Sequence, residues 1–383
     1  MNRHLDVKLI RESVPALLLA LAADSIAGFF MDYYSRIFLL IPGLLMVLPA
    51  LIDMRGNVYG AFISRLSSQL HLGEVETLND KKVKIGIATA KSLAYSAGLT
   101  VALIAGLISY IQTGNPVFIL VLPTIILVNH LFTASSLTPL TAYIGVKTYE
   151  KGWNPDNVGV PLLSSAGDLI TVIFLILVGF LFLQIWHLPL LILGIAIIIL
   201  IYVAHLLRIV WKDSYGRRIY RESIVVLIIL AFVELFTGSV WEANKVGMIL
   251  LLLPPTLETL GNLGSVFSSR LTSYIYLGYI EPTIVPRGEH ARREIISILS
   301  LTGILYAIIT PLIVLLSGDI KVIYVMWTAV LISVVSLIFI AYYLTIGSLR
   351  ARLDPDNIVV PVITTLADII GTLSIVFSYY LFF

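Results

Sequence analysis

The chain has no cysteine in 383 residues, only six histidines, and a charged fraction of 13%. The missing cysteine excludes disulfides, thiolate metal sites and a cysteine nucleophile. So little charge excludes an ordinary soluble domain, which carries about 25% charged residues. The short alternating segments of a membrane β-barrel are also absent. A formal charge of +2 says little about partners, since its distribution matters more than its sum; no nucleic-acid partner is expected. What the chain does have is 58% hydrophobic residues and a mean hydropathy of +0.98. Apolar stretches of about 18 residues or more recur along it, each long enough to cross a bilayer core of roughly 30 Å. The expected fold is an all-α polytopic membrane protein with the lipid bilayer as its solvent. Met1 to Arg11 is short and polar with no cleavable signal pattern, so the first apolar helix is expected to stay in the membrane.

The sequence also contains itself twice. Asp53-Met-Arg-Gly-Asn57 followed by Ser64-Arg65-Leu66 returns as Glu258-Thr-Leu-Gly-Asn262 followed by Ser269-Arg270-Leu271. Asn154-Pro-Asp-Asn157 with Pro161 and Asp168 returns as Asp354-Pro-Asp-Asn357 with Pro361 and Asp368. Arg11-Glu12-Ser13 with Asp24 and Gly28 returns as Arg221-Glu222-Ser223 with Glu234 and Gly238. Acids, amides and glycines are costly inside apolar helices, so keeping the same ones twice points to a paired site at the interface of two halves, as in a transporter or channel.

About eleven spans fit the hydrophobic pattern, at roughly 14–31, 37–70, 84–111, 116–146, 157–183, 187–210, 222–241, 246–278, 293–316, 321–347 and 356–381. The second and eighth are too long for one straight crossing and are expected to tilt, break or extend past the membrane. The chain divides into a first membrane repeat over 1–183, a linker helix over 184–215 and a second repeat over 216–383. Five spans per repeat plus one connecting span make both repeats enter from the same side, so they are parallel. A parallel pair within one chain supplies both halves of a site, and a monomeric pseudo-dimer is expected. Lysine and arginine crowd the segments that share a side with the N-terminus, whereas Arg36, Lys245 and Lys321 lie opposite. By the positive-inside rule the N-terminus is cytoplasmic and the C-terminus outside.

Ser164 and Asp168 are four apart, as are Thr364 and Asp368, so each pair shares a helix face with Pro161 or Pro361. Two carboxylates in hydrocarbon favour protonation, and a divalent cation between Asp168 and Asp368 would restore the charge balance. The structural alternative is acids satisfied by hydroxyls or water. Pro49 with Gly56-Asn57, and Pro254 with Gly261-Asn262, loosen helix backbone where oxygen could line a path. Asp53 shares a face with Asn57, and Glu258 with Asn262; packing kinks with interhelical amide bonds are the alternative. Asp24 and Glu234 sit mid-span, where pairing with Arg65, Arg270 or Lys91 is an equally good account. His130 with Asn129 has no counterpart in the second half and reads as interhelical glue. Oxygen ligands alone select the Mg²⁺, Ca²⁺ and Mn²⁺ class, and so few of them suit a hydrated ion.

Pro49-x7-Asn57 with Gly56, closed by Leu72-Gly73-Glu74, resembles the second membrane helix of the MgtE magnesium channels. Asp354-Pro355, Pro361, Thr364-Thr365 and Asp368-Ile369-Ile370-Gly371 are similar to the MgtE pore helix. Gly56-Asn57 followed by Ser64-Arg65-Leu66-Ser67 is closer to the eukaryotic solute carrier family forty-one, which fuses two MgtE-type repeats. The resemblance implies a transporter or channel for Mg²⁺, with Mn²⁺ as an alternative cargo. It further implies a path between two five-helix units, with Asp168 and Asp368 at the pore aspartate. Two departures stand out. Asp53 and Glu258 replace a glycine of the family pattern, and the run Gly167-Asp168-Leu169-Ile170-Thr171 lacks the glycine that Gly371 supplies in the copy. The cytoplasmic sensor domains of the bacterial channels are expected to be missing.

A sodium- or proton-coupled divalent cation exchanger would use the same residues. A remoter alternative is an intramembrane aspartyl protease, in which two acids share a proton. Ser-Ala-Gly-Asp168 and Thr-Leu-Ala-Asp368 lack the Gly-x-Gly-Asp context of that class, so no enzyme is expected. A scaffold without conduction would carry duplicated membrane acids at needless cost.

Overall fold

A computed structural model describes residues 7–150, 155–245, 247–283, 286, 288–351 and 355–383. Side chains are described for these except 7–12, 16, 71, 155–162, 355–358, 360 and 361, so the motif residues Asn154 and Asp354 and the side chains of Pro161 and Pro361 fall outside. Thirteen α-helices occur among the described residues: α1 Val7–Tyr33, α2 Ser35–Leu40, α3 Leu44–Arg55, α4 Ala61–His71, α5 Lys81–Thr113, α6 Phe118–Glu150, α7 Pro155–Ile185, α8 Pro189–Lys212, α9 Ser214–Ala243, α10 Gly247–Tyr276, α11 Glu289–Ser317, α12 Val322–Arg350 and α13 Pro355–Phe382. Ten of them are long and apolar enough to cross a bilayer. The chain is an all-α polytopic membrane protein.

The expected second span is not one helix. A π-helical turn, Gly56–Gly60, separates α3 from α4, and glycines stand at both of its ends. Such widened turns leave backbone carbonyls less tightly bound and tend to occur at functional sites. The eighth span is instead the single helix α10, unbroken despite Pro254 and Pro255. Between α2 and α3, Gly43 sits at φ +82°, and a Cβ there would overlap the Ser109 hydroxyl. Only glycine satisfies both demands.

The helices gather into two compact units, one of Met1–Asp32 with Val246–Phe383 and the other of Tyr33–Lys245. In the second unit α3 packs on α9, α5 on both α6 and α9, and α6 on α7. The linker helix α8 also lies here, against α5 and α6. Its buried side is the stripe Ile192, Ala196, Ile199, Val203, Leu206 and Val210, spaced three or four apart. Its opposite side, with Leu190, Ile198 and Ile201, is exposed and apolar, as a lipid-facing surface must be. Asp213 then caps α9 by accepting hydrogen bonds from the backbone N–H of Tyr215 (3.0 Å) and Gly216 (3.3 Å). The Lys81 ammonium 3.1 Å away holds that carboxyl below its usual range. In the first unit α13 packs on α10 and α12, and α11 lies against both α10 and α12.

These packing units and the repeats read from the sequence divide the chain differently. Helix α9 opens the second repeat but packs among helices of the first; α1 opens the first but belongs to the unit of α10–α13. The duplicated glycines are the crossing points. A Cβ on Gly28 would overlap the Leu251 carbonyl oxygen, and one on Gly238 would overlap that of Met46. The helix that opens each sequence repeat, α1 or α9, therefore touches a proline-bearing motif helix, α10 or α3, backbone to backbone, a close approach that a membrane interior favours because dispersion grows with contact.

Gly238→Ala should destabilise the detergent-purified protein by about 1–3 kcal/mol, because the added methyl meets rigid backbone rather than a movable side chain. Gly194→Ala, with nothing within 4 Å of the added carbon, should leave the melting temperature unchanged or slightly raised. Equal melting temperatures for the two variants would contradict the close crossing.

Candidate functional site

Each unit brings its own motif helices together. In the unit of Tyr33–Lys245, Asn57 lies in the π turn and donates from Nδ2 to Asp53 Oδ2 at 2.8 Å. Both side chains are half-buried. Ser164 of α7 faces this turn, since a Cβ on Gly56 would stand 3.7 Å from its hydroxyl. Asp168 follows one helical turn later. In the other unit, Asn262 donates to Glu258 Oε1 at 3.2 Å, and a Cβ on Gly261 would stand 3.5 Å from the Thr364 methyl carbon. Asp368 again follows one turn later. The acid–amide hydrogen bond and the glycine that faces Ser164 or Thr364 thus occur in both units. A Cβ beside either amide would make only an ordinary van der Waals contact with the facing helix.

The two acids are not in the same environment. Asp168 is 1% exposed, whereas Asp368 is half-buried. Beside Asp168 lies Arg55, itself 3% exposed and electrostatically coupled to that carboxylate. Arg55 runs past the neighbouring Gly167, whose Cβ would stand 3.6 Å from Arg55 Cδ. Its Nη2 donates to Asn129 Oδ1 at 3.3 Å, and Asn129 Nδ2 donates on to the Thr171 carbonyl at 3.2 Å. Asn129 therefore ties α3, α6 and α7 together. His130 is buried next to it in the space left by Gly98, with its ring edge-on to Tyr95 at 5.6 Å.

Arg55 is the residue that sequence reasoning passed over. Its position in the second repeat holds Leu260, so a search for features present twice does not find it. The signal available was simply an arginine in the middle of a membrane motif. The three cations weighed as partners for Asp24 and Glu234 were others. Of these, Arg270 grips Glu294 with Nε and Nη2 at 2.7 and 2.9 Å, and Arg65 lies near Tyr215 and Glu222. Asp24 and Glu234 are both fully buried, and Asp24 is an electrostatic neighbour of Tyr306, which packs on Thr256 and Thr259. Among the described residues, no group of three histidine or carboxylate side chains is placed to hold a metal ion.

Two segments, residues 48–178 and 253–378, match the model of the MgtE family, described as divalent cation transporters. The chain belongs to the MgtE family. It is accordingly a divalent cation transporter and not an enzyme, which removes the protease alternative. One match falls in each compact unit, and each begins at a proline-bearing motif helix, α3 or α10; α1 and α9 lie outside both. Similar proteins include the mouse solute carrier family 41 member 3, 24% identical over 401 residues, covering 95% of this chain and 80% of the relative. The rat member 3 is 25% identical over 398 residues, covering 94% and 84%. Human solute carrier family 41 member 2 is 24% identical over 412 residues, covering 96% and 69%. No solved structure matches the chain.

Proposed function

We propose that this MgtE-family chain transports Mg²⁺, and that its transport depends on the duplicated set Asp53, Asn57, Ser164 and Asp168 with Glu258, Asn262, Thr364 and Asp368. Asp24 and Glu234 support the same helices. The observation that supports this reading is the repeated arrangement itself, in which the amide donates to an acid one turn before it and the adjoining glycine faces Ser164 in one unit and Thr364 in the other. These are hard donors, suited to Mg²⁺ or Mn²⁺. Mg²⁺ gives up water reluctantly, and a few carboxylates and amides can grip its hydration shell without replacing it. One chain carries both copies of the set, so a single chain is the functional particle.

Purified protein in liposomes should carry Mg²⁺ inward to a trapped magnesium dye. Asp168→Ala and Asp368→Ala should each lower that flux at least about tenfold while the protein stays folded. Native mass measurement on the same preparation should find one chain per particle, near 42.2 kDa. Wild-type flux in both variants would remove the acids from the mechanism. Flux driven by voltage alone supports a channel, whereas strict dependence on a sodium or proton gradient supports an exchanger.

Asp53 and Glu258 add charge beside the asparagines, so they should tune which ion is preferred. Asp53→Asn and Glu258→Gln are expected to keep flux but change the Mg²⁺ to Mn²⁺ or Ca²⁺ ratio by about two- to tenfold, the range of a modest electrostatic change. A ratio identical to wild type in both would make these side chains structural.

We further infer that the N-terminus is cytoplasmic and the C-terminus outside, from the lysines and arginines concentrated in 81–84, 208–221 and 287–293. The natural lack of cysteine makes this simple to test. A single cysteine placed at Lys82 should react with an impermeant thiol reagent only from the cytoplasmic side, and one at Asn115 only from outside. The reverse pattern would invert the topology.

A further inference from the structure

We propose that Arg55 is a resident counter-cation for Asp168, so that the two duplicated acids have separate roles: Asp368 takes the divalent cation, and Asp168 fixes α3, α6 and α7 in register. This rests on the reading that the chain moves a divalent cation through its acid motifs.

The guanidinium cannot shed its charge in a protein, so burying it at 3% exposure demands a nearby anion and filled hydrogen-bond positions. Both are present. Asp168, 1% exposed, supplies the charge, and the carbonyl of the Asn129 side chain takes an N–H at 3.3 Å. Asn129 is committed in turn to the Thr171 carbonyl, on the helix that carries Asp168. The cluster therefore joins three helices through one arginine. The aliphatic stem of Arg55 passes α7 at Gly167, whose Cβ would stand 3.6 Å from Arg55 Cδ. A dication at the Asp168 carboxylate would share it with a fixed positive charge at low dielectric, where repulsion between the cations is strong.

The second copy lacks this device. Leu260 stands at the position of Arg55, at the same offset that relates Asn57 to Asn262. Asp368 is half-buried rather than sealed. The backbone differs at the same point: the π turn begins at the residue after Arg55, whereas α10 runs on as regular helix past Leu260. A half-buried acid with leucine at the arginine's position suits a passing ion; a sealed acid beside an arginine suits a permanent joint. Arg55 is on this account a positioning residue.

A double-mutant cycle in the full chain tests it. Arg55→Leu, which installs the residue of the other copy, and Asp168→Asn should each cut Mg²⁺ flux in liposomes at least about tenfold, because each strands one buried partner. Combined, they should recover flux to within about threefold of wild type and restore the melting temperature, since neither charge is then left uncompensated. Asp368→Asn should stay inactive with or without Arg55→Leu. A folded double variant as inactive as Asp168→Asn would overturn the proposal. Should the double variant not purify as a monodisperse particle, carbodiimide labelling of the wild type read by mass spectrometry decides instead. Label at Asp368 that Mg²⁺ suppresses supports the division of roles; Mg²⁺-suppressed label at Asp168 refutes it. The melting temperatures separate this idea from the transport reading. A wild type that moves no Mg²⁺ defeats the transport reading, while recovery of stability in the double variant still reports the buried pair.

Discussion

A carboxylate inside an apolar helix bundle must be compensated, and the two halves of this chain do so in different ways. The idealised cost of an unscreened charge in such surroundings is many kcal/mol, far above the total stability of about 5–15 kcal/mol available to a domain. The acids are therefore held by local chemistry. Asn57 and Asn262 give an N–H to Asp53 and Glu258 one turn away, and Glu294 receives a two-pronged contact from Arg270. Asp168 is an electrostatic neighbour of the buried Arg55.

That arrangement requires helices close enough for short side chains to meet. Glycine supplies that closeness where α1 crosses α10 and where α9 crosses α3. Gly28 lies against the backbone at Leu251 and Gly238 against that at Met46, so a methyl at either would separate the helices. At Gly56 and Gly261 an added methyl would make only ordinary contact with Ser164 and Thr364, so the tight constraint lies at the crossings of α1 and α9.

Much of this was legible in the sequence because polar residues in membrane helices are rare and therefore informative. The duplicated motifs, the side-chain pairs four residues apart and the family itself all follow from that rarity, while the irregular second span follows from its length. Two features were not legible, for different reasons. Repeats record ancestry, and nothing in the run Arg221 to Gly238 says that α9 will pack on α3 rather than within its own repeat. Arg55 was hidden because comparing the two halves rewards what is shared, and Leu260 is what the other half has. The π turn is a local consequence that neither propensity nor periodicity signals, since its five residues also suit an ordinary helix with glycine in it.

Fusion makes such differences possible. In a symmetric assembly of identical chains, any residue beside one copy of an acid stands beside every copy, so an arginine that neutralised one would neutralise all. Duplication within one chain lifts that restriction. One copy can keep Asp368 half-buried beside Leu260, while the other closes over Asp168 with Arg55 and commits Asn129 to the same joint. The gain is rigidity without loss of the charge that a dication needs. A fixed guanidinium also removes one negative charge from the dry interior, and so lowers the electrostatic cost of holding the remaining acids ready when no ion is bound. The asymmetry is thus a physical advantage that a single chain of two repeats has over two copies of one.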